Sequence, residues 1–216
     1  MKTIAQYLSA ALLAVALAAQ AQPAKPIYEN DFEKCEAGKP PADFMIMYGE
    51  FAVRQDDTNK VLELPGAPVD SYSVLFGPSQ KSGVAVTARV YGTGKSRRFP
   101  SFAVGLNGVA GYKLIVVPSR NDLEIQKGDD VMATVPFKWQ TDSWTMLRLQ
   151  VREVGGVLKV EGKAWTQGSP EPAAWTVTFD DKTDVSAGKA SLWGSPYSGT
   201  PIRYDDVKLT AASDKP

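Results

Sequence analysis

The chain has 216 residues, with 24 Lys and Arg balanced by 24 Asp and Glu, a hydrophobic content of 44%, no histidine and one cysteine. Charge neutrality argues against nucleic acid as the main partner, and the lack of histidine removes the commonest general base near neutral pH, the Ser-His-Asp and Cys-His arrangements and the usual zinc ligand set. The lone Cys35 cannot close an intramolecular disulfide, so stability has to come from a packed core.

The chain opens on a targeting signal. Lys2 supplies a positive start, Leu8 to Ala19 is an apolar run, and Ala19-Gln20-Ala21 fits the small-x-small cleavage pattern. Residues 1–21 therefore read as a signal peptide of a secreted or periplasmic protein. A membrane anchor needs roughly 20 apolar residues and a stop-transfer pattern, whereas this run ends in Gln and Pro, so no membrane span is expected after cleavage. Residues 22–210 are expected to form a single domain, and residues 211–216 a frayed tail.

The first mature run, Ile27 to Glu33, is strand-like, and so is the last, Ile202 to Thr210. The two ends are expected to pair. Between them period-two alternation recurs. Val84, Val86, Ala88 and Val90 share one face, with Ala85, Thr87, Arg89 and Tyr91 on the other; Phe102, Val104 and Leu106 repeat the pattern. Further on, Thr145, Leu147, Leu149 and Val151 alternate with Met146, Arg148, Gln150 and Arg152. Leu158, Val160, Gly162 and Ala164 alternate with Lys159, Glu161, Lys163 and Trp165, and Trp175, Val177 and Phe179 line one face of the next run. Each is a half-buried antiparallel strand. Asp57 to Lys60, Gly92-Thr93-Gly94, Asn107-Gly108, Ser119 to Asp122, Gly128-Asp129-Asp130 and Gly155-Gly156 supply the turns. Such spacing predicts an all-β protein, an antiparallel two-sheet β-sandwich.

Asn30-Asp31-Phe32-Glu33, Asp56 to Leu62, Gly111-Tyr112-Lys113-Leu114, Ser143 to Leu149, Gly188 to Trp193 and Tyr204-Asp205-Asp206-Val207 come in an order that resembles the concanavalin A-like lectin/glucanase superfamily, particularly the laminin G-like modules of secreted bacterial proteins. The resemblance implies a jelly roll and leaves the activity open, because the superfamily holds lectins, carbohydrate-binding modules, glycosidases, polysaccharide lyases and domains without known ligand.

Three sets of residues follow. Glu29-Asn30-Asp31-Phe32-Glu33 resembles the Glu-x-Asp-x-Glu signature of family 16 glycoside hydrolases, but stands on the first mature strand rather than mid-chain, so a charged strand margin explains it better. Modules of the superfamily often hold a structural Ca²⁺ where the terminal strands meet, and Asp31, Glu33 and Asp205 are the candidate oxygen ligands. Asp205 has the parity of Val207 and Leu209, which demands a partner: a metal, a basic side chain or backbone N–H groups. For sugar binding, Trp165, Trp144, Tyr91, Arg89, Arg148, Arg152, Lys159 and Glu161 form a candidate face of aromatic and charged groups, while Trp139, Trp175 and Trp193 read as core. Lys95, Arg97 and Arg98 form a small basic cluster suited to anionic glycans. The leading reading is a secreted, non-catalytic carbohydrate-binding module. The alternatives are a glycoside hydrolase or polysaccharide lyase, for which Tyr112, Tyr197, Arg148 and Lys159 are the available groups, and a structural or adhesive domain.

Overall fold

The alternating runs form strands throughout. A computed structural model describes residues 25–197 and 199–213; the signal segment and residues 214–216 of the tail lie outside them. In chain order the strands are β1 (Tyr28–Asn30), β2 (Met45–Tyr48), β3 (Ala52–Asp56), β4 (Asn59–Leu64), β5 (Tyr72–Gln80), β6 (Val84–Gly92), β7 (Ser101–Leu106), β8 (Tyr112–Val117), β9 (Asp122–Lys127), β10 (Asp130–Pro136), β11 (Ser143–Val154), β12 (Val157–Thr166), β13 (Val177–Asp181), β14 (Gly188–Ser195) and β15 (Ile202–Ala211). They build two antiparallel sheets. The first runs β13-β12-β11-β6-β15-β4-β3, with β1 also pairing β15; the second runs β10-β9-β8-β7-β14-β5-β2.

The core lies between the sheets and is filled by the residues the alternation assigns to it. Val86, Val90, Leu147, Leu149 and Val160 of the first sheet meet Phe76, Phe102, Val104, Leu114 and Leu192 of the second, all fully buried. Burying each such side chain contributes about 1.5–3 kcal/mol. The predicted turns carry the backbone they need: Asn107 and Gly108 have φ of 67° and 75°, Gly155 and Gly156 of 60° and 79°. Positive φ at both central residues matches the twist of the flanking strands.

The two ends pair as expected, with Tyr28 opposite Leu209, Glu29 opposite Lys208 and Asn30 opposite Val207. The opening strand is shorter than the alternation implies. Asn30 accepts the N–H of Phe32 at 2.8 Å and Asp31 that of Glu33 at 3.2 Å, and Phe32 takes φ 59°. These Asx turns end β1 at Asn30. At the other end, β15 bulges between Asp205 and Lys208, where Asp206 takes φ 50°. The bulge flips parity. Val207 and Leu209 still face the core, but Asp205 lies opposite Arg89 on the outer side of the sheet. The chain also stays bonded past Thr210: Ala212 donates to the Gly83 carbonyl, and Ser213 exchanges two hydrogen bonds with the Gln150 side chain.

Candidate functional site

The eight residues of the predicted sugar face do share the outer side of the first sheet. Trp144 pairs with Tyr91, Met146 with both Arg89 and Trp165, and Gln150 with Glu161. Tyr91 and Trp144 lie 5.6 Å apart, with the Arg89 guanidinium 4.6 Å from the Trp144 ring centroid. The charges, however, answer one another. Arg152 binds Glu161 through two nitrogens at 2.8 and 3.0 Å, and Lys159 holds Asp180 at 2.9 Å. Residues 167–176 then strap the middle of the face. Glu171 accepts from Arg148 and Lys163, the Pro172 carbonyl accepts from Lys163, and the Trp175 ring covers both cations. Trp175 is therefore a lid over the outer side and not a core residue, because it stands before β13 begins. Lys163 keeps only 2% of its surface.

Asp31, Glu33 and Asp205 are not brought round one position. Asp31 is exposed, and Glu33 accepts the Lys60 backbone N–H at 2.7 Å. Asp205 accepts from Arg89 at 2.6 Å, Asn59 at 2.7 Å and the Asp206 N–H at 2.7 Å. Burial pushes its carboxyl above the ordinary range, against these three bonds. The partner its buried position demands is thus a cation and two N–H donors, and these residues do not fit a calcium cage; among the described residues no three of His, Cys, Asp and Glu stand close enough to hold a metal ion. With β1 ending at Asn30, Glu29, Asp31 and Glu33 no longer alternate along one strand; Glu29 and Asp31 line one cleft with Lys34, Asp206 and Lys208, while Glu33 is turned away to Lys60. Nor do the groups considered for a lyase converge. Tyr112 is interior and donates to Asp181 at 2.8 Å, with burial and that bond pushing its phenol well up; Arg148 and Lys159 belong to the other sheet.

The outer side of the second sheet is organised differently. One row runs Glu124, Ile115, Ala103, Trp193, Ser73; the next runs Gln126, Lys113, Gly105, Ser191, Leu75. Small residues floor it, and Trp193, Ile115 and Lys113 stand above them. Trp193 is thus on an outer face and only half-buried, since Ala190, Leu192 and Gly194 take the core side of β14. Its indole N–H donates to Ser191 at 2.8 Å, and the Lys113 ammonium sits 4.5 Å from its ring centroid. Gly105 makes this approach feasible, because a Cβ there would collide with Ser191 Oγ and crowd the indole nitrogen at 3.3 Å. Glu124 takes a bond from Gln126 at 2.8 Å and an ion pair from Arg120, which also reaches Asp122 at 3.2 Å.

Lys113, Glu124, Ser73 and Ser191 are 5%, 2%, 3% and 0% exposed. Among the described residues, the side-chain bonds of Lys113, Glu124, Ser191 and Trp193 stay within this sheet and its own turns. Among the described residues no strap bonds across them, so their neighbours do the burying. The face is a trough. It leads into a cleft of about 440 Å³ whose lining includes Ser101, Val117 and Ser195 at the strand ends, with Arg97, Phe99, Arg120 and Tyr197 around them. Within this set only the basic cluster and Tyr197 stand out from the sequence, because no single strand shows that its small residues will meet those of its neighbours.

No protein-family model matches the chain, and no curated protein matches it in sequence. Solved structures do match in shape. A carbohydrate-binding module, CBM66, from Bacillus subtilis is 12% identical, with a TM-score of 0.54 over 78% of this chain and 96% of that one. The metal-free carbohydrate recognition domain of Emp46p is 11% identical, with a TM-score of 0.57 over 88% and 98%. A Bacillus subtilis protein of unknown function with a galectin-like fold gives 12%, 0.58, 88% and 98% in the same order. This is a concanavalin A-like sandwich. The trough is one outer face of that concanavalin A-like jelly roll, and the strapped charged face is the other.

Proposed function

We propose that this protein is an exported, non-catalytic module of the laminin G-like kind that binds a polysaccharide along the trough of the second sheet. One observation carries the reading: Lys113, Glu124, Ser73 and Ser191 are buried beside Trp193 on a sheet face that, among the described residues, no strap from elsewhere bonds across. Holding a lysine and a glutamate out of water is unfavourable unless they are paired, and a row of buried donors and acceptors next to an aromatic ring is the arrangement that orients a sugar. The fold supports the same ligand class, since neighbours are named as a carbohydrate-binding module and a carbohydrate recognition domain. The residues 1–21 pattern supports export. The carboxylates in the trough, Asp122 and Glu124, both bind Arg120, which occupies lone pairs that a general acid or base would need; this favours binding without cleavage.

A glycan array with residues 22–216, followed by reducing-sugar and unsaturated-uronate assays on each hit, tests this. Binding without product is expected, and product formation would refute the non-catalytic reading. Trp193→Ala is expected to weaken the hit at least about tenfold, the loss usual for a central aromatic anchor, while Trp165→Ala and Arg148→Ala leave it unchanged. The opposite pattern would move the binding surface to the first sheet.

A further inference from the structure

We propose that the bound glycan is anionic, and that its carboxylate or sulfate is held by Arg97, which lines the cleft at the end of the trough, with Arg98 next to it on the hairpin adding positive charge; this deepens the glycan-binding reading and rests on it. The cations on the first sheet are spent on carboxylates, and Arg120 answers Asp122 and Glu124. Lys95, Arg97 and Arg98 differ. Among the described residues, none of the three has a carboxylate within ion-pair range.

Three exposed cations on a hairpin are commonly no more than a solvated tip. Two features set this hairpin apart. First, it is pinned: Lys95 and Arg98 exchange both backbone hydrogen bonds, at 2.9 and 3.0 Å, with Ser96 at φ 57° closing the turn between them. Phe99 then packs against Gly94, where a Cβ would come within 2.9 Å of its ring, so the tip is anchored from below. The entropy of ordering Arg97 is thereby partly spent before any ligand arrives. Second, the tip borders a built cleft. Arg97 shares its lining with Ser101, Ser195, Phe99 and the exposed Tyr197, so hydroxyls and an aromatic ring face the same space as the guanidinium. Ser195 lies two residues beyond Trp193 on β14, about 7 Å along the strand. A chain lying on Trp193 therefore passes directly into the cleft. A planar guanidinium matches carboxylate and sulfate oxygens with two parallel hydrogen bonds, which a neutral sugar cannot exploit.

Titration calorimetry with matched pairs tests the proposal: a galacturonate oligosaccharide against its neutral galactose counterpart, and a sulfated galactose oligosaccharide against its desulfated form. The wild type is expected to bind at least one charged member about tenfold or more tightly than its neutral partner, with the preference shrinking as salt is raised. Which pair shows the preference identifies the anion. The Arg97→Ala/Arg98→Ala variant should lose that preference and keep the neutral affinity, and Arg97→Lys should retain part of it. Its melting temperature should match the wild type, because both side chains are exposed. Equal wild-type affinity for charged and neutral members, or a preference that survives the double variant, overturns the anionic reading and leaves glycan binding standing. Failure to bind any glycan, charged or neutral, overturns both.

Discussion

Asp181 ties the two sheets together, and removing it should show how much of the sandwich depends on one buried carboxylate. It follows Val177 and Phe179 on the inward parity of β13 and is 4% exposed. There it accepts from Lys127 at 2.7 Å, from Tyr112 at 2.8 Å, and from the Thr183 N–H and hydroxyl at 2.8 and 2.7 Å. Burial alone would raise its pKa, but these four bonds hold the carboxyl well below the usual range. In Asp181→Ala the Tyr112 hydroxyl is stranded in the interior, at about 1–3 kcal/mol. Lys127 is 24% exposed and can turn to water, so its loss adds at most about 1 kcal/mol. The sum is about 1–4 kcal/mol, or roughly 2–16 °C in melting temperature for a domain of this size. Thermal unfolding followed by near-ultraviolet circular dichroism reads it. Because the folded pKa is depressed, the carboxylate's contribution is fully present above the unfolded value of about 4 and disappears as pH falls through the folded one. The gap between wild type and Asp181→Asn should therefore hold from neutral pH to about 5, begin to shrink near about 4, and close only as pH falls through the depressed folded value. Tyr112→Phe should reduce the damage of Asp181→Ala, since no hydroxyl is then stranded. A melting shift of under about 2 °C for Asp181→Ala, or no relief from Tyr112→Phe, would refute the accounting.

Gly194→Ala should destabilise the fold by about 1–3 kcal/mol, as overpacking does, because the new methyl would collide with Tyr204 Oη and approach Leu64 and Ile202 at 2.8 and 3.0 Å; urea denaturation measures it. A chelator should leave the melting temperature unchanged, since Asp205 is satisfied by Arg89, Asn59 and a backbone N–H and a ligand bound only by the folded state would raise stability. Trp175→Ala should loosen the strap and cost about 1 kcal/mol or more through the lost cover of Lys163, with faster hydrogen exchange confined to residues 167–176.

Most of the fold can be read from the sequence because a strand writes its two faces into alternate residues. Val84 to Val90 and Leu147 to Val151 need no more information than that. The misreadings arise where one residue of irregularity resets the alternation. The bulge at Asp206 turns Asp205 outward, and the Asx turns at Asn30 and Asp31 stop β1 short. Large aromatic residues compound this, since Trp175 and Trp193 look like core to any hydrophobicity argument. The outer face of the second sheet is less legible still. Its floor is made of Ser73, Ala103, Gly105 and Ser191 from three strands, individually featureless residues that matter only once register sets them side by side.

The pairing of β1 with β15 has a mechanical consequence. Tyr28 faces Leu209, so the chain enters and leaves the domain at one point. Tension transmitted through flanking sequence would not shear this ladder along its length, where all its hydrogen bonds share the load. It would unzip the ladder from that corner, one bond at a time. Three paired residues, the Ile27 N–H bond to Leu209 and the Tyr28 hydroxyl bond to Asp43 resist before Phe32 is pulled. A force-induced opening would thus begin at β1 and uncover the Phe32 and Phe44 corner of the core while the trough, on the opposite sheet, still held its shape.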